Sequence, residues 1–204
     1  MLIEILRVDP LAYLLIALSL VGAIAMHEFA HALAADAQGD RLPRAMGRVT
    51  LNPARHLDPL GTLCLLLAGF GWGRPVEFRP TALRSRRFGA ALVALAGPGM
   101  NLLLAVAGAF VQTLMDDSGD TFWLFLSYFV AINVLLAVFN LIPLPPLDGS
   151  RLLTIFLPPR HQGILFFLDR YGFLILLVLI FFGGFRFVGP IVDTVEGAIR
   201  NFVG

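Results

Sequence analysis

The apolar residues of this chain fall into long uninterrupted runs separated by polar loops. Crossing a bilayer takes about 20 apolar residues. Four runs meet that length, at roughly 11–35, 88–114, 121–141 and 164–182. A fifth run, 60–70, has only about a dozen residues and leads into glycine-rich sequence, which suits a re-entrant segment better than a crossing. The pattern predicts an all-α polytopic membrane protein with about four to five transmembrane helices and one re-entrant segment.

The stretch after Pro190 shows a different, two-sided pattern. On one side of a helix it would place the apolar residues Ile191, Val192, Val195, Ile199 and Phe202. On the other side it would place the charged residues Asp193, Glu196 and Arg200. We therefore expect a C-terminal amphipathic helix that lies at the membrane surface. No internal repeat or soluble insert is visible, so residues 1–204 are expected to form a single domain.

Composition supports the assignment to the membrane. Apolar residues make up 58% of the chain, charged residues 14%, and the mean hydropathy is +0.82, which is far from a soluble domain. The net charge of +1 gives no sign of a nucleic-acid partner, and the apolar runs make the lipid bilayer a partner. Cys64 is the sole cysteine, so no disulfide can form within the chain. The oligomeric state stays open, a homo-oligomer included.

A secretory signal peptide is the alternative explanation for residues 1–26. The start of the chain carries Glu4, Arg7 and Asp9 where a signal peptide has a purely basic region. The apolar run that follows is also longer than the core of a typical signal peptide. We therefore expect no cleavage here, and we expect this run to form the first membrane helix.

The first long run contains the motif His27-Glu28-Phe29-Ala30-His31. On a helix, residues four apart project from one face, so both imidazoles can reach a single zinc ion. Glu28 follows the first histidine directly, where a carboxylate can serve as general base to a metal-bound water. The alternative is a chance match whose polar residues pair with neighbours. Burying ionisable groups in hydrocarbon is expensive, which favours a functional site.

Two histidines leave a catalytic zinc one protein ligand short, because such sites usually take three protein groups plus water. The remaining histidines, His56 and His161, lie in loop-like sequence. Asp148 is the better candidate. It follows three prolines in four residues, at 143–146, which cannot continue a helix, so the chain must unwind near the end of the third long run. Irregular backbone at membrane depth is tolerated only inside protein or along a wet cavity. An ordinary proline-rich loop with a solvated Asp148 is the alternative.

Charge predicts the orientation of the helices. The loops 36–56 and 71–87 are rich in arginine, whereas the turn between the second and third long runs is acidic. That turn contains Asp116, Asp117 and Asp120. The positive-inside rule places both arginine loops in the cytoplasm, which requires that 57–70 does not cross. We expect an integral multi-pass protein of the cell (inner) membrane, with the histidine motif toward the cytoplasmic side.

Together these motifs resemble the site-2 protease family, the intramembrane zinc metalloproteases. The histidine motif and the segment 140–149 carry the resemblance, and the segments 51–59, 73–76 and 96–101 support it. No PDZ-like or other regulatory insert is visible, so the chain resembles the compact subgroup of the family. The resemblance implies a zinc-dependent endopeptidase that cleaves transmembrane protein or peptide substrates within or near their membrane segments.

The resemblance also implies roles for individual residues. It implies one zinc per chain, bound by His27, His31 and Asp148, with Glu28 activating the hydrolytic water. It further implies that Asn140 and Asn101 hold substrate backbone near the metal. The amide of Asn101 could equally form a hydrogen bond between helices. His56 could lie close to the metal ligands or serve as an interfacial loop residue.

Two alternatives of other classes remain at this point. A membrane zinc carrier or inactive scaffold would bind the metal without hydrolysis, although a carrier has no need of Glu28. A zinc protease with a glutamate as third ligand is the other, but the later glutamates, Glu77 and Glu196, lie outside the long apolar runs.

Overall fold

The computed structural model of the protein describes residues 2–68, 71–115, 120–156 and 162–204. Within these ranges it contains α-helices and no β-strand, which confirms the predicted all-α class. The helices are α1 Leu2–Val8, α2 Pro10–Ala37, α3 Leu42–Ala45, α4 Pro59–Ala68, α5 Arg86–Thr113, α6 Thr121–Asn140, α7 Gly149–Phe156, α8 Gln162–Phe181 and α9 Val188–Val203. Short 3₁₀ turns lie at Pro53–Arg55 and Pro80–Ala82.

Three of the described helices, α2, α5 and α6, are long and apolar enough to cross a membrane. Two of them begin at a capping side chain, whereas Ser85 before α5 makes no capping hydrogen bond. Asp9 caps α2 by accepting a hydrogen bond from Ala12 N (2.9 Å), and Asp120 caps α6 by accepting one from Trp123 N (2.7 Å). The fourth predicted run coincides with α8, a helix of 20 residues. The expected total of four to five crossings therefore stays a prediction.

The helices α2, α5 and α6 pack against one another and form the centre of the molecule. Their contact faces are rich in small residues that are almost fully buried, among them Ala23, Ala32, Ala105, Ala109 and Ala137. Small side chains let helix backbones approach closely, which is how helices associate where the surrounding lipid is as apolar as the core. The outward faces of the same helices carry exposed leucine and phenylalanine. Small residues inside and large apolar residues outside are the distribution expected of a bundle surrounded by lipid.

The short helix α4 has the geometry expected of the predicted re-entrant segment. Its 10 residues extend about 15 Å, half of a hydrocarbon core about 30 Å thick. The residues flanking it meet again, because Leu57 and Gly73 form an antiparallel bridge. Gly71 packs against Gly61 and Leu65 on the helix. The chain thus returns beside α4 to the level from which it departed.

The two arginine-rich loops lie at the same end of the bundle, as their charge predicts. The backbone N and the side-chain Nη2 of Arg79 donate to the carboxylate of Asp40 at 2.5 and 2.9 Å, and Arg48 donates to the Arg74 carbonyl oxygen. Burial alone would raise the pKa of Asp40, but the hydrogen bonds from Arg79 lower it below its ordinary value. In the acidic turn, Asp116 and Asp117 lie outside the described residues. Asp120 begins α6 at the opposite end of α5.

The C-terminal helix α9 is amphipathic, as predicted, but it is not laid across the end of the bundle. Its apolar face packs along the sides of α5 and α6, where Ile199 joins a buried cluster with Ala105 and Val130. Near the C-terminal end of α9, Arg200 Nη1 donates to Gln112 Oε1 at 3.0 Å, in the last turn of α5. The expectation of a surface helix rested on the amphipathic pattern, which did not reveal that the bundle offers this apolar face a partner.

Candidate metal centre

Three side chains converge inside the bundle. His27 and His31 lie one turn apart on α2 and are each 7% exposed. Asp148 enters from the irregular segment between α6 and α7. Its Oδ2 lies 3.0 Å from His27 Nε2 and 3.2 Å from His31 Nε2, and the two Nε2 atoms are 3.0 Å apart. The structure thus brings together the three residues predicted as metal ligands.

Both imidazole rings are fixed through their other nitrogen. His27 Nδ1 lies 2.6 Å from Asn101 Oδ1, and His31 Nδ1 lies 2.7 Å from the Val93 carbonyl oxygen. An oxygen that accepts a hydrogen bond here requires an N–H, so both rings carry their hydrogen on Nδ1. Each Nε2 then presents a lone pair toward Asp148, which is the form of imidazole that ligates a metal.

This set of donors fits a zinc ion. Two nitrogen lone pairs and a carboxylate oxygen at about 3 Å from one another repel unless a cation lies among them. With these separations, a point about 2 Å from all three atoms exists about 1 Å out of their plane, and 2 Å is the usual zinc–ligand distance. Bound to an ion from one side, these three groups would leave a fourth position for water, as in catalytic zinc sites.

Gly97 of α5 provides the space for such an ion. A Cβ atom at this position would lie 2.5 Å from His31 Nε2 and 2.6 Å from His27 Nε2, far inside van der Waals contact. Any side chain here would collide with the imidazole nitrogens that face the candidate metal position. The segment 96–101, noted in the sequence only as supportive, therefore gives the centre both a gap and the oxygen of Asn101.

The irregular segment after α6 positions Asp148. The prolines interrupt the helix as predicted: α6 ends at Asn140 and α7 begins at Gly149. Gly149 packs so closely on this segment that a Cβ would lie 2.3 Å from the Leu141 carbonyl oxygen. Asn140 itself is half-buried, and its Nδ2 donates to the Leu136 carbonyl oxygen at 3.0 Å on its own helix.

Glu28 lies beside the three converging side chains, under the loop that follows α4. A Cβ on Gly73 would come within 3.2 Å of Glu28 Oε1, so this loop passes directly over the carboxylate. Arg48 is only 3% exposed, and its Nη2 lies 3.7 Å from Glu28 Oε2. Glu28 Oε2 and Arg48 Nε are buried and have no hydrogen-bond partner. A positive charge therefore accompanies the predicted general base.

His56 is completely buried in the loop that carries Arg48, and it is not among the converging ligands. Its Nε2 donates to the Thr50 carbonyl oxygen at 2.7 Å, and its Nδ1 has no partner. Burial lowers the pKa of His56 and the charge of Arg48 lowers it further, against the opposing hydrogen bond to Thr50. His56 therefore lies in the loop beside Arg48 and outside the three converging side chains, and its role stays a prediction. His161 lies outside the described residues.

Comparison with known families agrees with this geometry. The model of peptidase family M50 matches residues 15–118 and 115–182, which together are most of the chain. The chain belongs to peptidase family M50. This is the site-2 protease family that the motifs resemble, so the protein is a zinc metalloprotease.

Named relatives of this M50 peptidase carry the same description. One is "Putative zinc metalloprotease YwhC" of Bacillus subtilis, 40% identical over 170 residues, covering 79% of this chain and 78% of the relative. Another is "Putative zinc metalloprotease Rip2" of Mycolicibacterium smegmatis, 32% identical over 184 residues, covering 85% of this chain and 70% of the relative. No solved structure matches the chain significantly. Membership of a peptidase family argues against the zinc-carrier alternative.

Sequence reasoning missed several residues around the centre of this M50 peptidase. Val93 contributes a backbone atom, which no side-chain motif can reveal. Arg48 lies among many loop arginines, and nothing in its local sequence distinguished it. Asn133 on α6 hydrogen-bonds to Asn101. The sequence did contain a signal for Asn133, because an amide in an otherwise apolar run indicates a specific polar contact between helices.

Proposed function

We propose that this protein hydrolyses peptide bonds within or near the transmembrane segments of membrane-protein substrates. The observation that carries the proposal is the convergence of His27, His31 and Asp148 inside the bundle, with two of them on a helix long and apolar enough to span a membrane. A peptidase centre at such a place is surrounded by helices with lipid-like outer faces. The substrates that reach it most directly are themselves embedded in the bilayer.

The residues present suggest how the work is divided. His27, His31 and Asp148 would hold one zinc ion per chain, and this ion would supply an acidified water and polarise the substrate carbonyl. Glu28 would accept a proton from the attacking water and return it to the leaving amine. Arg48, at 3.7 Å, compensates the negative charge of Glu28 in its buried place.

Substrate binding requires a further step, because a helix hides its carbonyl groups in internal hydrogen bonds and must unwind before attack. Asn140 stands at the last residue of α6, directly before the segment that carries Asp148, and is half-buried. Asn140 is therefore a candidate contact to the unwound substrate backbone. For Asn101 a substrate contact also stays a prediction, since its described contacts are to His27, Ala23 and Asn133.

The test is cleavage of a single-span reporter protein in proteoliposomes. Glu28→Gln preserves shape but cannot take up the proton, so it should retain zinc and lose cleavage. Glu196→Gln, which alters a glutamate on α9 far from the centre, is the matched control and should cleave normally. Comparable turnover by Glu28→Gln would assign the base to another residue. Turnover by neither the wild type nor the control, on any single-span reporter, would contradict intramembrane cleavage.

We further propose that the protein is a multi-pass protein of the cell (inner) membrane with its centre toward the cytoplasm. The proposal is supported by the hydrogen bonds that hold both arginine-rich loops together at one end of the bundle, because arginine-rich loops favour the cytoplasmic side. In a Cys64→Ser background, a cysteine replacing Arg79 should react with impermeant label only from the cytoplasm. A cysteine replacing Leu114, which is exposed after the last turn of α5, should react only from outside. Labelling of both from one side would overturn the orientation.

A further inference from the structure

Two buried side-chain amides extend from His27 into the contact between α5 and α6. Asn101 Oδ1 lies 2.6 Å from His27 Nδ1, and Asn101 Nδ2 donates to Asn133 Oδ1 at 2.8 Å. Asn133 Nδ2 in turn donates to the Phe129 carbonyl oxygen at 2.8 Å. Neither amide has measurable exposure. The three side chains therefore form one continuous hydrogen-bonded relay from α6 to the metal centre.

Backbone carbonyl oxygens fix the direction of this relay. The Phe129 carbonyl can only accept, so the nitrogen of Asn133 faces it and the oxygen of Asn133 faces Asn101. That oxygen can only accept as well, so Asn101 presents its nitrogen to Asn133 and its oxygen to His27. The Ala23 carbonyl, 3.3 Å from Asn101 Nδ2, imposes the same orientation more weakly. His27 must then carry its hydrogen on Nδ1.

The reversed orientation of Asn101 would have a chemical consequence. An amide N–H facing His27 Nδ1 would need a lone pair on that nitrogen, so the hydrogen of the neutral ring would move to Nε2. A protonated Nε2 cannot ligate a metal. The side chain of Asn133, although it touches neither ring, therefore bears on the ability of His27 to ligate.

We propose that Asn133 is a positioning residue that, through Asn101, holds His27 in the tautomer whose Nε2 can bind zinc. The proposal rests on the metal-ligand role proposed above for His27. Helix α6 contributes no ligand, but by this proposal it sets the tautomer of a ligand on α2. Partners that orient a metal-bound imidazole typically change metal affinity about 10–100-fold when removed.

A second buried amide between the same two helices supplies the matched control. Gln112 of α5 donates to Ser127 Oγ at 2.8 Å and to the Trp123 carbonyl oxygen at 3.2 Å, both on α6. It lies at the other end of the bundle and makes none of the contacts of the metal centre. An amide that only joins helices should behave like Gln112. An amide that sets the tautomer of His27 should not.

The first experiment measures zinc affinity by chelator competition in detergent, with the thermal stability of the metal-free proteins alongside. Asn133→Leu should bind zinc about 10–100-fold more weakly than the wild type, whereas Gln112→Leu should bind it normally. Asn133→Asp should largely restore affinity, because its carboxyl group still presents an oxygen acceptor to Asn101. Equal zinc affinities for Asn133→Leu and Gln112→Leu would overturn the proposal.

The second experiment observes the tautomer itself, by ¹⁵N resonance of the histidine rings in the metal-free protein. The wild type should show His27 with its hydrogen on Nδ1, and the smaller variant Asn133→Ala should show a mixture. His31, whose Nδ1 is held by a backbone carbonyl, should not change and serves as an internal reference. An unchanged His27 would reject the relay while leaving the metal centre intact. A wild type that binds no zinc would instead reject the ligand assignment itself.

Discussion

The two sides of the metal centre differ in how completely their polar atoms are paired. On the metal side, both Nδ1 atoms of His27 and His31 have oxygen partners, and Asn101 is bonded at both ends. On the side of the loops that cover Glu28, three buried atoms have no hydrogen-bond partner. These atoms are Glu28 Oε2, Arg48 Nε and His56 Nδ1.

The difference indicates that the two sides have different roles. A metal ligand functions best when its orientation is fixed beforehand, and hydrogen bonds between helices provide that fixation. A buried polar atom without a partner costs about 1–3 kcal/mol, and such atoms in a native structure call for an explanation. Here the explanation we favour is that water and substrate satisfy them during the reaction. We therefore expect the metal side to be preorganised and the glutamate side to be completed by what binds to it.

The largest effect should come from filling the gap on the metal side. Gly97→Ala would place a methyl group 2.5 Å from His31 Nε2, so the histidines must move away from the metal position. Cleavage of the reporter should fall by about 100-fold or more, since displacements of about 1 Å have that effect, and zinc should be lost. Gly99→Ala is the control, because a Cβ there meets nothing within 4 Å. Full zinc in Gly97→Ala would show that the centre is not preorganised.

A smaller effect is expected from removing the charge beside Glu28. Arg48→Gln leaves a buried carboxylate without its nearby cation, so the free energy of unfolding should fall by about 3 kcal/mol. Zinc content should be unchanged, because Arg48 touches no ligand. Arg55→Gln, an exposed arginine of the same loop, should change stability by less than about 0.5 kcal/mol. Equal stabilities of the two variants would mean that Arg48 and Glu28 do not interact.

Asn140→Ala tests the proposed contact between Asn140 and the unwound substrate backbone. Loss of one neutral hydrogen bond to the unwound backbone should raise KM about 3–10-fold, with kcat and zinc content little affected. Thr113→Ala, which removes a hydroxyl at the distant end of α5, should leave KM unchanged. If Asn140→Ala lowered zinc content instead, the residue would belong to the metal side.

The smallest effect concerns pH. The pKa of His56 is lowered in the folded protein, so its contribution to stability is complete above its unfolded value of about 6.5. That contribution is lost as the pH falls through the folded pKa, because the unfolded chain then binds the proton more readily. The thermal midpoint of the wild type should therefore decrease more between pH 7 and 5 than that of His56→Gln, which keeps a donor for Thr50. Parallel pH profiles would contradict this.

The sequence revealed the parts of the centre that depend on local pattern. The spacing of His27 and His31 follows from helix periodicity, and the prolines before Asp148 had to interrupt a helix. The partners of those residues were not accessible in the same way. Val93 acts through its backbone, and Asn133 meets Asn101 only because α5 and α6 pack in one register. Such contacts depend on tertiary packing, which a single sequence does not encode locally.

The fold shows the same division. Run lengths were enough to locate α2, α5 and α6 and to indicate that α4 is too short to cross. The amphipathic pattern of α9 predicted an apolar face but not the surface that covers it. Ile199 packs against the bundle, and only the packed structure shows that α5 and α6 leave room for it.

The most direct test of the central claim is the zinc content of three purified proteins in detergent. The wild type and Glu28→Gln should each carry about one zinc per chain, because we propose Glu28 as the base and not as a ligand. Asp148→Ala should lose most of its zinc, because only His27 and His31 remain to hold it. Full zinc content in Asp148→Ala, or loss of zinc from Glu28→Gln, would contradict the assignment of ligands and base on which the account depends.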